Sequence, residues 1–142
     1  MPLGNGLVDC ASFESDWLPG ARLRLESVQN AIDQAKHAAL ALLGRPRRYR
    51  EVPWFWSDQY QTKLQSAGLS SGHDQLLLRG DPDNGVGFTV LYGKNGRLIA
   101  ADCIDRPKEF LLCKKLVQQQ VLLDRDMTDE SLELVQSAKQ GE

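Results

Sequence analysis

"VGFTVLYGKNGRLIAADCI", residues 86–104, is the stretch on which the fold turns. Two runs rich in β-branched and aromatic residues flank Gly93-Lys94-Asn95-Gly96, where glycine and asparagine tolerate the positive φ that a tight reversal needs. The reading predicts an antiparallel hairpin, and its surroundings extend it into a sheet. Upstream, Gln75 to Arg79 forms a further strand, stopped by Gly80, Pro82 and the Asp83-Asn84-Gly85 turn. "TKLQSAG" (62–68) predicts a short strand ending at Gly68. Before it, "EVPWFWSDQY" (51–60) predicts a strand that begins near Val52 to Pro53. There Trp54, Trp56, Asp58 and Tyr60 alternate with Phe55, Ser57 and Gln59, so aromatic rings fall on both faces. Such a strand is either core or the wall of a ligand site, and periodicity alone leaves both open.

On either side of the strands the period changes. Leu25, Val28, Ile32, Ala35, Ala39 and Leu42 alternate threes and fours, which places one apolar stripe along a helix over about 27–43. Ser27 is its expected N-cap and Gly44 its C′ residue, with Pro46 forbidding continuation. The first 20 or so residues show no period and read as a loop. After the sheet, Pro107 suits the first turn of a helix with Asp105 near its cap, and Phe110, Cys113, Leu116 and Val117 line one face. A last helix is expected from a Thr128 cap, with Asp129 and Glu130 in its first turn and Leu132, Val135 and Ala138 on its apolar side. The order helix, antiparallel strands, helix, helix predicts an α+β fold, a sheet of about four to five antiparallel strands covered by helices and preceded by one long helix.

Composition narrows the function by exclusion. With 142 residues, 42% hydrophobic and 25% charged, the chain is long enough for one core. Its net charge of −2 gives no bulk reason to expect nucleic acid. No apolar run approaches the roughly 18 residues of a membrane span, and the N-terminus has neither a basic nor an apolar leader segment, so a cytoplasmic location is expected. Cys10, Cys103 and Cys113 are odd in number and never in a C-x-x-C pair, which reads as small reduced core residues. His37 and His73 are too few for a metal cluster or a triad. Asp81, Asp83, Asn84 and Gly85 superficially resemble a calcium loop, but the twelfth position is Tyr92 where a bidentate Glu is needed, so a turn is expected. Neither G-x-G-x-x-G, a P-loop nor G-x-S-x-G occurs.

Four stretches taken together carry more. "VDCASF" (8–13), "RLESVQNAIDQA" (24–35), "PWFWSDQY" (53–60) and "DCIDRPKEF" (102–110), in this order and spacing over about 110 residues, resemble the C-terminal part of FAD-dependent NAD(P)H:ferredoxin reductases of the putidaredoxin and rhodocoxin reductase group. The resemblance implies a parent with FAD- and NAD-binding Rossmann-type domains followed by an α+β domain related to the interface domain of disulfide reductases. Residues 1–44 would then be the end of an FAD-binding domain and 45–142 the reductase C-terminal domain.

The same resemblance implies site residues. Asp9 matches the carboxylate that accepts a hydrogen bond from the ribityl chain of FAD. Glu26, Val28 and Gln29, with Ser27, match the helix start that approaches the pyrimidine end of the flavin, where free N–H groups and the helix dipole stabilise negative charge. Trp56 matches the aromatic residue nearest the ring, and Trp54 its neighbour toward the docked iron-sulfur protein. Lys36 matches a basic position facing an acidic 2Fe-2S ferredoxin-type partner, and Arg45, Arg47 and Arg48 extend that sign of charge. Val8 departs from the pattern, because a glycine normally precedes the aspartate and lets backbone approach the cofactor. Without the upstream fingerprints, the chain alone is expected to bind FAD weakly or not at all and to be inactive in NAD(P)H oxidation, unless the FAD and NAD domains come on another chain. The alternative is a stand-alone, non-catalytic module that docks a ferredoxin or a reductase partner.

Overall fold

The computed structural model describes residues 10–15, 17, 20 and 22–134. Two short strands, β1 (Ser12–Glu14) and β2 (Arg22–Arg24), precede helix α1 (Val28–Leu42). Strands β3 (Trp54–Gln59), β4 (Thr62–Gly68), β5 (Gln75–Gly80), β6 (Phe88–Lys94) and β7 (Arg97–Ile104) follow, then helix α2 (Pro107–Gln119) and a 3-10 turn at Arg125–Thr128. The chain divides into two compact units, Met1–Phe55 and Trp56–Glu142.

The second unit is built on one antiparallel sheet in the order β3-β4-β7-β6-β5. The β6–β7 hairpin turns at Asn95-Gly96, both at positive φ, 50° and 75°, as the Gly-Lys-Asn-Gly composition demands. Its register pairs Leu91 with Ala101 and Thr89 with Cys103. On one face the row Leu77, Leu91, Ala101, Ala67 runs straight across β5, β6, β7 and β4. The last three of these side chains are buried. Helix α2 packs on β7 and β4 and buries Phe110, Cys113, Leu116 and Val117, the face its 3.6-residue period predicts. Leu76 and Leu78 point to the opposite face and are 54% and 40% exposed. Gly68 stands at φ 79°, where an added Cβ would run into the Ile99 carbonyl oxygen.

One buried ion cluster ties the chain's later part to the sheet. Arg79, 4% exposed, donates from Nε to Glu109 Oε1 at 3.1 Å, from Nη1 to the carbonyls of Met127 and Asp129 at 3.1 and 2.5 Å, and from Nη2 to that of Leu132 at 2.9 Å. Glu109 also accepts from the Thr89 hydroxyl at 2.7 Å and pairs with Arg106 at 3.4 Å, which reaches Glu130 at 2.7 Å. A planar five-donor fork is the side chain able to serve a carboxylate and three carbonyls at once.

Several expectations change. Residues before 20 are not all loop: β1 and β2 pair antiparallel, Phe13 opposite Leu23, and Arg22 reaches across to the Ser12 hydroxyl and carbonyl. Three residues per strand are too few to leave a readable alternation. Asp105 does not cap α2. Arg106 holds that place without a side-chain hydrogen bond, and the Asp105 carboxylate instead accepts from the Lys63 N–H at 2.7 Å. Thr128 ends the 3-10 turn instead of opening a helix, and its hydroxyl turns back to the Arg125 carbonyl. Val135 and Ala138 lie outside the described residues. Cys103 and Cys113 are buried, but Cys10 is exposed. The hydrogen bond from Cys113 to Cys103, helped by burial, holds the Cys113 thiol well above the ordinary thiol range.

Candidate functional site

In the first unit, α1 begins as the sequence dictates. Ser27 has extended backbone, and its hydroxyl accepts the Asn30 N–H, while its carbonyl takes the N–H of Ala31 at 3.1 Å. The N–H groups of Val28 and Gln29 have no acceptor within the helix, because its first turn offers none. The helix ends on Leu43 and Gly44, the latter at φ 72°. The Gly44 and Arg45 amides bond back to Ala41 and Leu40 at 3.0 and 2.9 Å, a Schellman closure.

The polar side of α1 is the buried one. Gln29 is 5% and Asn30 0% exposed. Asn30 donates to the Leu25 carbonyl at 2.5 Å and accepts from Gln34 at 2.9 Å. Gln29 donates to Asp33 Oδ2 at 2.6 Å and to the Tyr49 hydroxyl at 3.4 Å, and its Oε1 accepts the Trp54 N–H at 3.2 Å. A single side chain thus joins the helix, the connector after it and the first residue of the aromatic strand. Tyr49 stands edge-on to Phe13 and His37, ring centroids 5.1 Å apart in each case. Burial, outweighing its hydrogen bond to Gln29, pushes the Tyr49 phenol up to about 12.

The expected site residues divide accordingly. Gln29 and Trp54 are brought together, but the Gln29 side chain is saturated within the protein, so only its backbone N–H is available to a ligand. Glu26 is engaged by Arg24 at 2.9 Å on the surface. Val28 is 57% exposed at the first helical position. Lys36 pairs with Asp33 at 3.3 Å, which tempers its charge toward a partner. Arg45, Arg47 and Arg48 are exposed directly after the helix, where cations complement its C-terminal dipole. Asp9 lies outside the described residues. In β3, Trp54 and Trp56 are two residues apart and so share a face, with Phe55 opposite. Trp56 and Phe55 are 37% and 46% exposed, and the turn residue Tyr60 is fully exposed at φ 56°. The strand is therefore not a core strand in this chain. The Gln29 linkage was not foreseen; a glutamine beside a helix N-cap carries no signal of its own until the strand that it meets is known.

The helix start leaves the Val28 and Gln29 N–H groups without an acceptor inside α1, and separately the Trp56 ring of β3 is 37% exposed among the described residues. No group of three or more His, Cys, Asp or Glu able to hold a metal occurs among those residues. No helix among them is long and apolar enough to cross a membrane.

Comparison with known proteins agrees with the fold. Residues 54–138 match the family described as Reductase C-terminal, and the chain belongs to that family. Its relatives are ferredoxin reductases. It is 47% identical over 124 residues to the ferredoxin–NAD(P)(+) reductase of a Sphingomonas species, covering 87% of this chain and 30% of that protein. It is 38% identical over 145 residues to putidaredoxin reductase of Pseudomonas putida, covering 97% and 33%. The solved covalent putidaredoxin reductase–putidaredoxin complex superposes with a TM-score of 0.82 at 37% identity, over 90% of this chain and 30% of that one. The chain thus spans about a third of the length of the relatives it matches.

Proposed function

We propose that this chain is the C-terminal portion of an FAD-dependent NAD(P)H:ferredoxin oxidoreductase. Residues 1–44 close its flavin-binding domain, and 45–142 form its C-terminal domain. The observation that carries the reading is the 47% identity over 87% of the chain, a span too long to omit α1 and β3. Bound there, FAD would supply two-electron uptake from NAD(P)H and one-electron release to an iron-sulfur protein. The chain's own residues serve that exchange at one edge. The backbone N–H groups of Val28 and Gln29, at the positive end of α1, stabilise negative charge on the reduced ring, and Asp9 accepts from the ribityl chain. Glu26 flanks that helix start. The Trp56 indole, 37% exposed, would lie against the ring and exclude water. Trp54, Lys36, Arg45, Arg47 and Arg48 face a 2Fe-2S partner of acidic surface, chiefly raising the encounter rate.

No G-x-G-x-x-G fingerprint occurs in these 142 residues, and weak FAD binding without NAD(P)H oxidation is the behaviour expected of the chain alone. The test is to purify it, record flavin absorbance, and assay NADH-dependent reduction of a ferredoxin with FAD added. Negligible turnover is expected, and turnover close to that of a full-length reductase would refute the reading. A stand-alone docking module is the second reading, favoured by the exposed Arg45, Arg47 and Arg48. It requires salt-dependent binding of an acidic ferredoxin by the colourless chain, and affinity unchanged from low to high salt would sink it.

A further inference from the structure

The loop between β5 and β6 carries an asparagine that the proposed function leaves unused. Residues 81–86 are all exposed. Asn84 precedes Gly85, which stands at φ 70° with nothing near the position that a Cβ would take. The Asn84 Oδ1 accepts the Val86 N–H at 2.9 Å, an Asx turn that folds the side-chain amide over the next peptide. The Asn84 Cγ and the Gly85 nitrogen both belong to the ring that this bond closes. The Gly85 N–H has no acceptor among the described residues. The turn thus leaves a nucleophile free beside an amide carbon whose oxygen is already held by a donor, and such a donor stabilises the negative charge that grows on oxygen when a carbonyl is attacked. Glycine adds no side chain to obstruct the approach.

We propose that Asn84 is a self-modifying site, which loses its amide through a cyclic imide closed by Gly85. The Gly85 nitrogen gives up its proton and attacks Asn84 Cγ. A C–N bond forms, the Cγ–Nδ2 bond breaks, and Nδ2 takes up the proton and leaves as ammonia. Water then opens the imide at either carbonyl, giving aspartate or isoaspartate, and no oxidant is involved. The chain has two other Asn-Gly pairs, of which Asn5-Gly6 lies outside the described residues. Asn95-Gly96 is the informative contrast, because Asn95 is exposed as well. It stands at φ 50° in the hairpin turn, its N–H is held by Asp74 Oδ2 at 2.9 Å, and the Gly96 carbonyl accepts the Leu123 N–H at 2.8 Å. Ring closure there requires the turn to open. At position 84 conversion adds a negative charge beside Asp81 and Asp83, and isoaspartate lengthens the main chain by one atom. That atom enters next to Gly87, where an added Cβ would meet the Ile104 carbonyl oxygen and whose own carbonyl is held by Arg106 at 2.8 Å.

The test needs neither flavin nor partner. The whole chain is aged at mildly alkaline pH, either native or unfolded in guanidinium chloride, and then cleaved after its lysines, which places positions 84 and 95 on separate peptides. Mass spectrometry follows amide loss at each position, and fragmentation separates isoaspartate from aspartate. In the native chain, position 84 is expected to lose its amide about tenfold or more faster than position 95, because only the latter waits on local opening of the hairpin. In the unfolded chain the two rates should converge, since the dipeptide is the same. A native excess at position 84 no larger than the unfolded one overturns the proposal, because amide loss then follows the dipeptide and not the turn. Slower loss at position 84 in the native chain than in the unfolded one overturns it too, since the turn would then hinder closure. A product holding aspartate without isoaspartate excludes the imide and has the same consequence.

Discussion

Replacing Arg79 by methionine removes the guanidinium that ties Met127, Asp129 and Leu132 to the sheet. The side chain is 4% exposed and its guanidinium serves Glu109 and three main-chain carbonyls. Methionine keeps the packed stem but leaves Glu109 short of a cation and the carbonyls of Met127, Asp129 and Leu132 without their donor. Breaking a buried pair by removing one partner costs about 3–5 kcal/mol. Arg106, 3.4 Å from Glu109, remains to share the carboxylate and holds the cost near the lower bound, about 3 kcal/mol. With a urea m-value of about 2 kcal/mol/M, the midpoint falls by about 1.5 M. Arg79→Lys retains the charge but not the fork, and about half the loss is expected. Urea melts followed by far-ultraviolet circular dichroism give the midpoints, and hydrogen exchange locates the damage. Amides of residues 125–134 should lose protection first, while those of α2 keep theirs. An Arg79→Met midpoint within about 0.3 M of the parent, with 125–134 still protected, would refute the view that this guanidinium anchors the segment.

Three further outcomes follow from the geometry. Gln29→Ala removes one hydrogen bond each from the Trp54 N–H and the Asp33 carboxylate and should cost about 1–3 kcal/mol, read from tryptophan fluorescence during urea unfolding; a loss below about 0.5 kcal/mol would mean that water replaces the amide. Tyr49 and Tyr92 both have phenols pushed up to about 12, chiefly by burial. Because the folded form holds these protons more tightly than an unfolded phenol near 10, their contribution is complete below about pH 10 and is lost as pH rises toward 12. Absorbance titration at alkaline pH alongside urea melts checks this, and stability flat across that window would contradict it. Gly68→Ala forces a Cβ toward the Ile99 carbonyl oxygen at φ 79° and should destabilise by about 1–3 kcal/mol in thermal melts, where a neutral result would show that β4 can shift.

The sheet was legible because its hairpins carry their own punctuation: Gly93 to Gly96 and the Asp83-Asn84-Gly85 turn mark where strands must end. The α1 boundaries were legible from Ser27 and Gly44 for the same local reason. Periodicity, however, reports that a helix has an apolar side without reporting what covers it, so the exposure of Ile32 and Leu42 could be known only from coordinates. Long-range polar ties were silent for a related reason. Arg79 in "QLLLRG" reads as an edge charge until the three carbonyls it serves, some 50 residues later, are in place. Of the candidate site, the residue identities came from resemblance, whereas the Gln29 bridge to Trp54 came from the structure alone.

Central to the account is the proposal that these residues form the C-terminal portion of a flavoprotein reductase. The most direct measurement joins the chain behind the FAD- and NAD-binding portion of the Sphingomonas reductase and follows ferredoxin reduction by NAD(P)H, beside the chain alone with added FAD. The account predicts a yellow fusion that turns over and a colourless chain that does not. A folded fusion that holds flavin yet passes no electrons, or a chain that turns over unaided, would contradict it.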